Sequence, residues 1–217
     1  MKKYNYAILL LIFILVLTGC SDKYTFKDGR SFPVKRVEGS FIINPDNERA
    51  LVGYADYVFV GYVNQLLDTD FKNPVETETK DGGTKTVADP FTNYKVTVIQ
   101  NLKGDLITNQ EIPIVKEGGL TQDKKTVQLY ENDTLPVEGN YYIFIGYAQP
   151  DGSLLISGPN SNKELTKING LPSVKTSSLI NKVKADDQVL KIKKAVDNQI
   201  TKDRKRFTSK YESNKKK

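Results

Sequence analysis

Histidine and tryptophan are absent from the 217 residues, and cysteine occurs once. Each absence removes chemistry. Without an imidazole there is no His-based triad, no His-ligated zinc and no His general base. A single Cys cannot close an internal disulfide or build a multi-Cys metal site. No Gly-rich phosphate loop and no Gly-x-Ser-x-Gly elbow is present. A hydrolase built from this chain would have to use paired carboxylates, such as Asp133 and Glu138, or a Ser-Lys pair. With so many acids in the chain some pair always looks plausible, so the reading is of no catalytic residues, no cofactor and no metal.

What the chain has is charge, unevenly placed. Lys+Arg number 32 against 26 Asp+Glu, a net of +6. Residues 202–217 hold eight bases and two acids, and Lys2 and Lys3 precede any acid. Residues 20–201 are therefore near −2. A whole-chain charge argument for a nucleic-acid-binding domain fails on that distribution, and no nucleic-acid partner is expected. The basic tail reads as a solvated end, with anionic lipid or wall polymer as its functional alternative.

Ala7–Leu17 is an unbroken apolar run behind two lysines. It is too short for a transmembrane helix, which needs about 20 residues, and it has the layout of a secretory signal. The run ends in Leu17-Thr18-Gly19-Cys20, which resembles the lipobox of bacterial lipoproteins. That resemblance implies cleavage between Gly19 and Cys20 and a diacylglyceryl group on the Cys20 sulfur. Residues 1–19 would be the signal peptide, and the chain would sit on the outer face of a cell membrane. The few arginines (Arg30, Arg36, Arg49, Arg204, Arg206) among many lysines, with abundant Ile and Asn, suggest a low-G+C Gram-positive source.

Residues 20–40 are mixed and polar and read as a tether. Asn44-Pro45-Asp46 starts a short helix, with Asn44 as cap. Tyr57–Val63 is apolar at every position but Gly61 and reads as a central strand. Asp68–Asp89 is polar, with Pro74, Gly82 and Gly83, and reads as a long loop or a loop around a weak hairpin. Tyr94–Val98 and Ile112–Ile114 alternate, and Pro113 points to an edge. Val127–Tyr130, Tyr141–Tyr147 and Leu154–Ile156 are further strands, with Asp151-Gly152 turning the last pair. A loop follows to 178. Asp186 or Asp187 then caps an amphipathic helix with Val189, Ile192, Val196 and Ile200 in one stripe.

Short strands joined by turns predict a mainly β protein. The expected shape is a small antiparallel OB-like barrel over 41–178, with a short N-terminal helix, a C-terminal helix over 179–205 and a basic tail over 206–217. The order of elements, with "ADYVFVGYV", "YKVTVIQNLKGD" and "YYIFIGY", resembles small secreted Gram-positive lipoproteins with an OB-like or netrin-like barrel. That family lends no catalytic residues. Tyrosines are the suggestive feature of the body. Tyr57, Tyr62, Tyr94, Tyr142 and Tyr147 are candidates for a stacking or interface surface. The expected function is non-catalytic binding at the envelope, to a protein or polymer. The alternatives are an envelope-polymer-modifying enzyme using carboxylates, and an envelope-stress or immunity lipoprotein.

Overall fold

Valine, isoleucine and aromatic residues fill the strand-like segments, and their side chains must be covered on both faces where the pattern does not alternate. A computed structural model shows how; it describes residues 22–79, 81–168, 170 and 177–213. The signal segment and Cys20 lie outside the described residues, as does most of the stretch between 169 and 176.

The elements in chain order are β1 (Lys23–Thr25), β2 (Ser31–Val37), α1 (Glu48–Tyr54), β3 (Tyr57–Glu78), β4 (Thr84–Lys103), β5 (Glu111–Glu117), β6 (Gly119–Leu120) and β7 (Val127–Tyr130). They continue with β8 (Tyr141–Ala148), β9 (Leu154–Ile156), β10 (Asn162–Glu164), α2 (Ser177–Ala185) and α3 (Asp187–Asp197). Strands β8, β3, β4, β5 and β9 lie side by side, and a β8–β9 pairing closes them into a barrel. Numbered within the barrel, the order is first, second, third, fifth, fourth and back to the first. This is the OB-type Greek-key order. Closure uses a parallel pairing, Val115 with Leu155 and Lys116 with Ile156, so the barrel is not antiparallel throughout.

Strand β3 is buried from Tyr57 to Val63 because both of its faces are used. Phe59 and Val63 point into the barrel beside Val96, Ile114 and Phe144. Val58, Val60 and Tyr62 point outward and are covered by Leu51, Val183 and Ile192 of the three helices. Gly61 has no side chain because a Cβ there would meet Val96 Cγ1 at 2.5 Å. Pro113 sits where β5 has β4 as its only partner, since β9 reaches only Val115 and Lys116. Asn47, not Asn44, caps α1, accepting from the Ala50 amide at 3.1 Å. Asn44 instead accepts from the Asp46 amide in a turn just upstream.

Five regions differ from the sequence reading, one of them the expected loop to 178, in which Asn162–Glu164 pairs with β8 as β10. The expected tether is structured: β1 and β2 form a hairpin, β2 pairs in parallel with β7, and Tyr24, Phe32 and Val34 pack on Val127, Leu129 and Leu135. Of the two readings of the polar stretch 68–89 the hairpin holds, and it is not weak: the stretch is the outer part of a ribbon made by β3 and β4, turned at Gly82 with φ +81°. The single C-terminal helix is two, α2 and α3, separated at Asp186, whose carboxylate caps α3. The stripe from Val189 continues through Ile192 and Ala195, which pack on the barrel, but α3 stops at Asp197 and Ile200 is exposed. Finally, 201–213 is not a loose tail. It runs along one end of the barrel, with Ile107 N–H bonded to the Tyr211 carbonyl and Lys210 N–H to the Gly152 carbonyl.

Candidate functional site

The five candidate tyrosines do not form a surface. Tyr57, Tyr62, Tyr94 and Tyr142 are buried, and Tyr147 is half-buried. Tyr57, Tyr94 and Tyr142 fill the barrel interior. Tyr62 lies on the outer wall against Tyr141, ring centroids 5.0 Å apart. Tyr147 packs on Tyr54 beneath the Arg204 guanidinium. Their role is packing, as aromatic strand formers commonly do.

Burial has an ionisation consequence. It pushes the hydroxyls of Tyr141, Tyr142 and Tyr147 up to about 12 and those of Tyr57 and Tyr94 up as well. An unfolded tyrosine releases its proton near pH 10 while the folded one keeps it. Between those values the native state binds more protons, so stability falls as pH rises. The protein should hold its stability up to about pH 10 and lose it steeply above. Urea midpoints measured across the alkaline range check this; a flat profile from pH 9 to 12 would contradict it.

The candidate carboxylates are held apart by different partners. Glu138 accepts from the Leu66 amide at 2.7 Å and pairs with Lys27 at 3.2 Å. Asp133 is buried in an ion pair with Lys116, Nζ to Oδ2 2.5 Å, with side-chain exposures of 1% and 0%. Lys116 follows Ile112 and Ile114 on the inward face of β5, so the strand itself drives an ammonium into the barrel. The same Nζ lies 3.3 Å from Ser161 Oγ. That is a Ser-Lys juxtaposition, yet the lysine is committed to a carboxylate, and Ser161 donates to the Gly158 carbonyl. Burial raises the Asp133 carboxyl above its usual range, against the pull of Lys116. Sealed from solvent, the trio serves as a structural link between β5, the segment after β7 and the segment before β10. Beside it is a cleft of about 240 Å³ whose Glu117 takes hydrogen bonds from Tyr130 and Ser157.

A second charged cluster fixes the C-terminal segment. Asp56, 6% exposed, forms an ion pair with Arg204 at 2.7 Å and accepts from Arg206 at 2.9 Å and from the Ala148 amide at 3.0 Å. Arg206 also donates to the carbonyls of Gly53, Tyr54 and Ala55, which are the open C-terminal acceptors of α1. Lys103 donates to the Val52 carbonyl at 2.7 Å, and burial, helped by the Arg206 charge, brings its ammonium down to about 8. Gly53 carries no side chain where the backbone of Ile200 crosses α1. Phe207 and Tyr211 then pack against the barrel interior, closing that end.

The opposite end carries the feature that the sequence offered only as a long loop or a loop around a weak hairpin. Strand β8 accompanies β3 only to Tyr62, and β5 accompanies β4 only from Thr92. Past Asp70 and Pro90 the two strands continue as a bare ribbon, with 71–78 and 81–87 exposed. The eight residues from Phe71 to Glu78 span about 25 Å at the usual strand rise. Leu67, Phe71, Val75 and Val87 are exposed apolar side chains along this arm. Over 68–89 six acids face three lysines, Lys72, Lys80 and Lys85, but the bare ribbon 71–87 is balanced at three acids to three lysines; the excess sits at its root, at Asp68, Asp70 and Asp89. Among the described residues no group of acids could hold a metal ion, and no helix is long and apolar enough to cross a membrane.

The fold defines a five-stranded OB-type barrel, bracketed by a second sheet at one end and a C-terminal strap at the other, with a projecting β-arm. No family model matches the chain, and no curated protein matches it.

Proposed function

We propose that this is a lipid-anchored extracytoplasmic binding module without catalysis, and that the β3–β4 arm is the element that engages its partner. The observation that carries the reading is the arm itself. An open two-stranded ribbon with free edges and exposed apolar side chains is a template for strand addition, which soluble proteins ordinarily blunt. Its place in the barrel supports the same reading, by analogy of fold alone. The arm elaborates the connection between the first and second barrel strands, one of the two loops through which OB-type barrels contact ligands. The acids at its root, Asp68, Asp70 and Asp89, favour a partner with a basic surface there. The anchor rests on Leu17-Thr18-Gly19-Cys20, with the bilayer reached through diacylglyceryl on Cys20. Two acyl chains hold a protein on a membrane far more firmly than the marginal binding of one.

The test uses the acylated chain purified from membranes. An arm-shortened form, with 71–87 replaced by a two-residue turn, should keep the barrel's circular dichroism and lose the envelope partner captured by the full chain. Retention of that partner would sink the arm as binding element. Separately, Cys20→Ala should abolish palmitate incorporation and release the protein from the membrane; continued labelling would overturn the anchor.

A further inference from the structure

We infer that the barrel end carrying β1 and β2 lies against the anionic headgroups of the membrane, with the basic outer face of that hairpin as the contact surface. The inference rests on the lipid-anchor reading and adds an orientation to it. Only Ser21 and Asp22 separate Cys20 from Lys23, the first residue of β1. Three residues of chain reach about 10 Å at full extension. A Cys20 held at the bilayer surface therefore brings this hairpin to the headgroup layer, whatever the rest of the domain does.

The hairpin is built for that surface. Tyr24, Phe32 and Val34 face the domain, and the alternating residues Lys23, Thr25, Ser31, Pro33 and Lys35 face outward and are exposed. Lys23 pairs with Pro33 across the strands, which puts Lys23 and Lys35 on the same outer face. From Asp22 to Val37 there are five bases and two acids. The arm root belongs to the same end of the barrel: Lys27 pairs with Glu138, which accepts from Leu66, and Gly119 of the second sheet meets Thr69. An open ribbon cannot enter hydrocarbon, because its edge N–H and C=O groups would go unpaired. The basic hairpin is drawn toward the lipid and the open ribbon is kept out of it, which leaves the arm clear for a partner.

The chain has no Trp, so a single introduced Trp reports alone. The acylated chain is incorporated into vesicles of phosphatidylglycerol and phosphatidylcholine containing a nitroxide-headgroup lipid. Thr25→Trp places the probe on the outer hairpin face, and Thr208→Trp on the strap at the far end; both positions are exposed. Thr25→Trp should be strongly quenched and Thr208→Trp scarcely. Adding Lys23→Glu and Lys35→Glu should weaken the Thr25→Trp quenching, since each basic residue near an anionic surface is worth about fivefold in that balance. Equal quenching at both positions in protein that floats with the vesicles would overturn the orientation while leaving the anchor intact. Failure to float would remove the anchor reading, and this inference with it.

Discussion

Replacement of Lys116 by Met should lower the stability of the protein by about 3–5 kcal/mol, the usual cost of stranding one half of a buried ion pair. The reason is position. Lys116 and Asp133 are sealed from water, and the Asp133 side chain keeps only the Thr134 amide as a donor once the ammonium is gone. The stranded carboxyl escapes by protonation. Its folded pKa then lies further above the unfolded value, so the native state holds the extra proton. The variant's deficit should shrink as pH falls toward the unfolded carboxylate range. Removing both charges together, as Lys116→Met with Asp133→Leu, should recover most of the loss, because an apolar pair of similar volume avoids desolvation altogether. Urea unfolding of the three variants at two pH values measures this. A Lys116→Met protein within about 1 kcal/mol of the parent at neutral pH would mean that the pair does not link these segments.

Asp56→Ala should have the next largest effect, on the order of 3 kcal/mol, by the same rule for a mostly buried carboxylate. It leaves Arg204, 15% exposed, without its counter-ion and leaves the Ala148 amide without its acceptor. The loss should be local first. The strap should come away from the barrel end, so the amides of Ile107 and Lys210, bonded across that junction, should exchange with solvent faster than those in the middle of β3. Limited trypsin should cut near Lys202 and Lys205 in the variant well before the parent. Arg206→Ala should do less, since that side chain is 36% exposed and its ion pair is screened by water. A strap as well protected in Asp56→Ala as in the parent would show that Asp56 is not what holds it.

The barrel was legible because burial leaves a pattern. Tyr57–Val63 and Tyr141–Tyr147 are apolar on both faces, and the structure covers them on both faces. The alternation of Tyr94–Val98 and Ile112–Ile114 marks strands half turned to solvent. The arm left no such pattern. Neither of its faces is buried, so nothing selects alternating side chains, and register shifts at Val63/Gln65, Leu66/Thr69 and Lys72/Val75 break what period remains. The hairpin β1–β2 is short, and its apolar face meets only a small satellite core. Reading the C-terminal segment as solvated counted its bases without their partners; Arg204 and Arg206 find Asp56 some 150 residues away in sequence, and no local signal announces that.

The sequence by itself determined the fold class, the strands of the barrel wall, the amphipathic character of α3 and the expectation of a lipid anchor at Cys20. Those properties are local, written in runs of side chains that any packing must cover. Only the tertiary structure decided that the candidate tyrosines are core, that Asp133 belongs to Lys116 and that the polar stretch 68–89 stands out as an arm. Each of these depends on which distant segment lies opposite, and long-range pairing is a property of the closed barrel and its attached segments. The histidine-free composition excluded imidazole chemistry at the outset; the structure added that the buried Ser161-Lys116 contact is held as part of a structural link.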